Sequence, residues 1–152
     1  MSFSGFPNNV RYTPVPNPLL GPLLEQIEDL AELKCTLRVI WIIHNKKRPP
    51  RFVTKTELLN DTTLVRSLNR GRGDINIEIG RVLSLSVNRG TLAKATVKQN
   101  GHEEELYVIN IESQRKALAA LKIKELEYQS SPYSDRLEKT FKKPNIFNLY
   151  EN

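Results

Sequence analysis

The chain has 152 residues, enough for one sizeable core and too few for two full domains. Its 39% hydrophobic and 26% charged content is that of an ordinary soluble protein, and no apolar run approaches the roughly 18 residues that a membrane span requires. A net charge of +6 favours anionic partners, and the single cysteine, Cys35, excludes an internal disulfide and fits a reducing cytoplasm.

The opening Met-Ser-Phe-Ser-Gly-Phe-Pro has no basic region followed by an apolar block, so no secretory signal is expected there. Residues 1–18 hold Pro7, Pro14, Pro16 and Pro18 among Phe3, Phe6 and Tyr12, a composition that favours an extended arm over a helix. Phe3, Phe6 and Tyr12 are the candidate oligomer-interface residues. Pro22 suits a first helical turn, and Leu23, Ile27, Leu30, Leu33, Leu37, Ile40, Trp41 and His44 recur at three- and four-residue steps. This predicts one long first helix over 22–44, ended by Lys46-Lys47-Arg48-Pro49-Pro50, with His44 half-buried on it.

Arg51-Phe52-Val53 reads as a short strand. Thr54 and Glu57 then have the spacing of a capping box, so a second helix should start at Thr54 and break near Asn60-Asp61, with Asp61 capping a continuation to Leu68. After a Gly71-Arg72-Gly73 loop, Asp74 caps a third helix that Gly90 stops. Ile75, Ile79, Val82, Leu83 and Ser86 form its buried face, which decides for a helix over a strand.

Residues 91–110 contain two strand-like runs joined by Asn100-Gly101, a pair suited to a type I′ turn, whose two central residues both need positive φ. In that register Lys98 faces Glu103, Ala95 faces Leu106 and Ala93 faces Val108. One side of the ribbon is apolar (Ala93, Ala95, Val97, Leu106, Val108), while the other carries Lys94, Lys98, Glu103, Glu105 and Tyr107. Asn110 is expected to cap a fourth helix containing Ala117, Leu118 and Leu121, and Gln129-Ser130-Ser131-Pro132 reads as a linker. The expected fold is mainly α with a small β hairpin, a winged helix-turn-helix with an extended N-terminal arm and a C-terminal helix. Its expected divisions are an arm over 1–18, a winged-helix domain over 19–128 and a final segment over 129–152.

Charge is unevenly distributed along the chain. Residues 25–32 carry a local −4, residues 34–98 hold fourteen Lys or Arg against four acids for +10, and residues 99–111 carry −3. A basic middle is the electrostatic footprint of a phosphate-binding surface. In winged helices the third helix enters the major groove and the wing touches the backbone. Here the outward side of that helix holds Ile77, Arg81, Ser84 and Asn88, of which Arg81 and Asn88 have the bidentate geometry to read a base edge. Arg70, Arg72 and Arg89 flank the helix ends as phosphate clamps, and Lys98 on the wing completes the DNA-binding candidates. Glu104 and Glu105 would lie near a phosphate backbone and argue against groove binding.

No catalytic constellation is legible. His44 and His102 have no cysteine or carboxylate at a metal-ligand spacing, Gly71-Arg72-Gly73 lacks the strand and helix-borne lysine of a phosphate loop, and Cys35 has no neighbouring base. The chain reads as a non-enzyme with no metal or cofactor.

Lys143-Pro144-Asn145-Ile146-Phe147-Asn148-Leu149-Tyr150-Glu151-Asn152 resembles the opening of the DnaD domain of primosomal replication-initiation proteins from bacteria and their phages. There an Ile-Phe-x-x-Tyr-Glu-x-Asn-like segment begins the first helix, whereas here Asn152 follows Glu151 directly. Tyr12-Thr13-Pro14-Val15-Pro16-Asn17-Pro18 and Asp29-Leu30-Ala31-Glu32-Leu33-Lys34 resemble the winged-helix portion that precedes that domain. On this reading residues 129–152 are a linker and the beginning of a truncated DnaD-like segment.

The resemblance implies a part in assembling the replication initiation or restart machinery by loading the helicase through protein contacts. In that family the main DNA-binding determinants lie in the C-terminal domain and tail, and the N-terminal winged helix serves oligomerisation and partner contacts. The expected function is therefore a cytoplasmic, non-catalytic module of DNA replication that oligomerises with itself and docks replication-initiation or helicase-loading proteins, adding at most weak, non-specific DNA binding. The alternative is a DNA-binding winged-helix transcriptional regulator, supported by the basic middle.

Overall fold

The computed structural model of the protein describes residues 2–49, 51–68, 73–99 and 101–129. It is mainly helical with a small three-stranded antiparallel sheet, compatible with a winged helix. A 3-10 turn at Asn17–Leu20 leads into α1 (Pro22–Gln26) and α2 (Leu30–His44). There follow β1 (Val53–Thr54), α3 (Lys55–Leu59), α4 (Thr62–Leu68), α5 (Ile75–Arg89), the ribbon β2 (Leu92–Gln99) and β3 (His102–Ile109), and α6 (Glu112–Gln129).

Local chemistry sets most of these boundaries. The Thr54 hydroxyl accepts from the Glu57 amide while the Glu57 carboxylate accepts from the Thr54 amide, each at 3.0 Å, so α3 starts on a complete capping box. Asp61 accepts from the Leu64 amide at 3.2 Å and begins α4 after the break. Asp74 accepts from the Asn76 amide at 2.8 Å to open α5, and Gly90, with φ +94°, closes it in the left-handed region that favours glycine.

The ribbon register pairs Ala93 with Val108, Ala95 with Leu106 and Lys98 with Glu103. Gly101 at the turn has φ +81°. β1 adds to the far side of β3, pairing Val53 with Tyr107, so the hairpin is part of a sheet ordered β1-β3-β2. Both faces of that sheet are covered at its base. Val53, Leu92, Tyr107 and Ile109 join the main core with Cys35, Val39, Ile43, Leu58, Leu64, Ile79, Val82 and Leu83. On the opposite face Ala93, Leu106 and Val108 pack against Leu118 and Ala119 of α6 and against Phe52. Tyr107 was expected on the polar side of the ribbon and is instead buried, because that side turns apolar towards the base of the wing and lies on the helical body.

Three further expectations are corrected. The long first helix is two helices: Ile27 leaves the helical region with ψ 111°, and Asp29 caps α2 by accepting from the Glu32 amide at 3.0 Å. Asn110 does not cap α6, since its amide donates to the Gly90 carbonyl at 2.7 Å and its oxygen accepts from Arg115 at 2.8 Å. His44 is exposed, at the solvent end of α2.

Candidate interaction surface

The outward face of α5 is the one expected from the sequence: Ile77, Arg81, Ser84 and Asn88 are all exposed. Arg81 is not free on that face. Its guanidinium donates to Asp29 at 2.6 Å and to both carboxylate oxygens of Glu78 at 3.0 and 2.7 Å. Arg81 holds the Asp29 and Glu78 carboxyls below their ordinary values. The bonds from Glu78 and then Asp29 in turn push the Arg81 pKa up. One cation thus serves two carboxylates, and this stretch of helix carries no surplus positive charge.

Arg89, expected to clamp a phosphate, is part of the α2–α5 junction. Its Nε and Nη2 donate to the two oxygens of Glu32 at 2.7 and 2.9 Å, and its Nη1 reaches the Gln26 carbonyl at 3.4 Å. Glu32 is completely buried, so Arg89 is the counter-ion of an interior carboxylate. Beside it, Thr36 of α2 and Ser86 of α5 share a buried hydroxyl hydrogen bond of 3.3 Å. Asn88 is exposed and Lys98 stands opposite Glu103 on the wing. Arg70 and Arg72 lie outside the described residues. Among the described candidates, Arg81 and Arg89 are therefore each committed to carboxylates.

The acids of the wing are also engaged. Glu104 accepts from the Thr56 hydroxyl at 2.8 Å. Glu105 accepts from the Tyr107 hydroxyl at 2.5 Å and has Lys94 at 3.7 Å. Burial pushes the Glu105 carboxyl up, but the Tyr107 hydrogen bond and the charges of Lys94 and Lys55 outweigh it, leaving it lowered. Tyr107 is raised, first by burial and then by Glu105.

Unsatisfied apolar surface lies elsewhere. Phe3 and Phe6 meet edge to face with centroids 4.9 Å apart, yet remain 70% and 79% exposed, and Tyr12 is 85% exposed. At the end of the arm Val15 and Leu19 meet the main core. Leu30, Leu37 and Trp41, which belong to the apolar periodicity of the expected first helix, line an exposed side of α2 instead of its buried face. The seven-residue step from Leu30 to Leu37 and the four-residue step to Trp41 keep the three on one side of α2, whose start after the Asp29 cap sets which side that is.

Burial first, and then the charges of Asp61 and Glu32, push the Cys35 thiol up to about 12, so it stays protonated at neutral pH. Among the described residues no group of three or more His, Cys, Asp or Glu is placed to hold a metal, and no helix is long and apolar enough to cross a membrane. No protein-family model matches the chain, and neither the curated proteins nor the solved structures yield a match.

Proposed function

We propose that this winged helix is a non-catalytic assembly module of the DNA-replication type its sequence resembles, associating with itself through the N-terminal arm and docking protein partners, rather than reading a duplex with α5. The observation that carries the reading is the engagement of Arg81 and Arg89 by Asp29, Glu78 and Glu32. A base-reading helix needs a free fork to pair with guanine or adenine, and here Asn88 alone of the candidates on the outward face is left for that task. The arm supports the other half of the reading, because three exposed aromatics on a segment without helix or strand gain by covering a neighbour's apolar surface.

Sedimentation velocity of the full chain, with and without duplex DNA at two salt concentrations, tests it. Concentration-dependent self-association, with little duplex bound, is expected. Deleting residues 1–14, which leaves Val15 and Leu19 in place, should weaken association about tenfold or more, given roughly 1.5–3 kcal/mol for each large side chain buried less its ordering cost. An unchanged oligomeric state after the deletion refutes the role of the arm. Tight, salt-resistant binding of one duplex sequence would instead identify a transcriptional regulator.

A further inference from the structure

Several cations that no carboxylate engages among the described residues follow one another on the loop after α2. Residues 33–56 contain seven Lys or Arg and no Asp or Glu. Arg38 is held by Asp61 at 2.7 and 3.1 Å, and Lys46 by Glu57. Lys47, Arg48 and Arg51, between the end of α2 and β1, are exposed and make no ion pair or side-chain hydrogen bond with any described residue. Pro49-Pro50 sits between them in the sequence, and two rings that restrict φ reduce the backbone freedom lost when the loop grips a ligand.

Directly before this loop α2 ends in Trp41 and His44, three residues apart and so on the same side of the helix. Trp41 is 43% exposed, and the Arg38 guanidinium lies 4.0 Å from its ring centroid, which fixes the indole against the body. His44 is exposed beside it. Two aromatic rings followed by three cations with no partner among the described residues are the elements of a single-strand site, in which bases stack on rings while phosphates follow the charges.

We propose that the end of α2 and the loop to β1 form a binding site for single-stranded nucleic acid, with Trp41 and His44 as the stacking platform and Lys47, Arg48 and Arg51 as the phosphate contacts. A duplex keeps its bases stacked on one another and offers nothing to Trp41, so the site discriminates against it. The site is independent of α5 and of the arm, and it requires neither self-association nor a protein partner.

Trp41 is the only tryptophan in the chain, so its fluorescence reports directly on stacking. Titrating the full chain with a twelve-nucleotide oligothymidylate should quench that fluorescence, whereas the matching duplex or heparin should leave it nearly unchanged. With three phosphate contacts, log affinity should fall against log salt with a slope of about −2, so a fourfold rise in salt weakens binding about 20-fold. By anisotropy of the labelled oligonucleotide, Trp41→Leu should bind about tenfold more weakly or worse. Lys47→Ala with Arg48→Ala and Arg51→Ala should remove most of the salt dependence, and Lys116→Ala should match the parent. These side chains are exposed, so thermal melts of the variants should coincide with the parent's and exclude misfolding as the cause. The proposal is overturned if the oligothymidylate leaves Trp41 unquenched, if heparin quenches equally, if duplex binds better, or if Arg81→Ala loses more than the triple variant.

Discussion

Replacing Arg89 by alanine tests whether the α2–α5 junction is held by an interior ion pair. Glu32 is fully buried and both its oxygens are taken by Arg89, whose own side chain is 23% exposed. Removing one partner of a buried pair costs about 3–5 kcal/mol, because the remaining charge is stranded. Water entering through the open side should hold Arg89→Ala near the lower end, about 3 kcal/mol. Glu32→Gln keeps the shape and one acceptor and should cost about 1–2 kcal/mol. Arg89→Met with Glu32→Leu replaces the pair by apolar groups of similar volume and should recover most of the loss. Urea unfolding followed by circular dichroism gives the three values, and the first corresponds to a melting point roughly 10 °C lower. If Arg89→Ala lies within about 0.5 kcal/mol of the parent, the pair contributes nothing that a surface pair would not. If the apolar double variant is worse than Arg89→Ala, the stranded-charge argument fails.

Arg81 depresses the Asp29 and Glu78 carboxyls, so the stability they supply is complete above their ordinary values of 3.8 and 4.5 and is lost as pH falls through the lower folded values. Arg81→Ala should therefore flatten the acid limb of the stability profile below about pH 4.5, and an unchanged limb in acid titrations by urea midpoint would contradict the assignment. Cys35, buried and protonated, should resist a thiol reagent at pH 8 until urea unfolds the chain, and prompt stoichiometric labelling would show an accessible thiolate. Gly101→Val puts a β-branched residue at φ +81° with open space around it, so strain alone should cost about 1–2 kcal/mol while helical content persists. A melt identical to the parent's would deny the positive φ.

What the sequence made legible was local. Asn100-Gly101 set the ribbon register, Thr54 with Glu57 set the start of α3, and Asp74 and Gly90 bounded α5, because each signal is a side chain or backbone requirement acting within a few residues. The break between α1 and α2 had a signal of the same kind, Asp29 three residues before Glu32, but apolar steps at Leu23, Ile27 and Leu30 run across it and hide it. The burial of Tyr107 depends on the base of the wing lying on the helical body, with Val53 of β1 paired beside it, contacts between residues far apart in sequence. The partners of the arginines were illegible for the same reason: Arg81 and Asp29 are 52 positions apart, Arg89 and Glu32 57.

Those distant pairs change what the basic middle of the chain means. Charge summed along a segment predicts a phosphate-binding face only if the acids elsewhere in the chain stay away from it, and here the acidic stretch at 25–32 folds onto α5. Glu32 in the first turn of α2 and Arg89 in the last turn of α5 each also suit the dipole of their own helix, so the pairing agrees with local electrostatics at both ends. Drawing Arg81 away to a phosphate would leave Asp29 and Glu78 uncompensated close to that phosphate, adding repulsion at the point where attraction is needed. The same cost does not arise at Lys47, Arg48 and Arg51, which give up no partner among the described residues. An anionic strand therefore gains more along the α2–β1 connection than it would on α5.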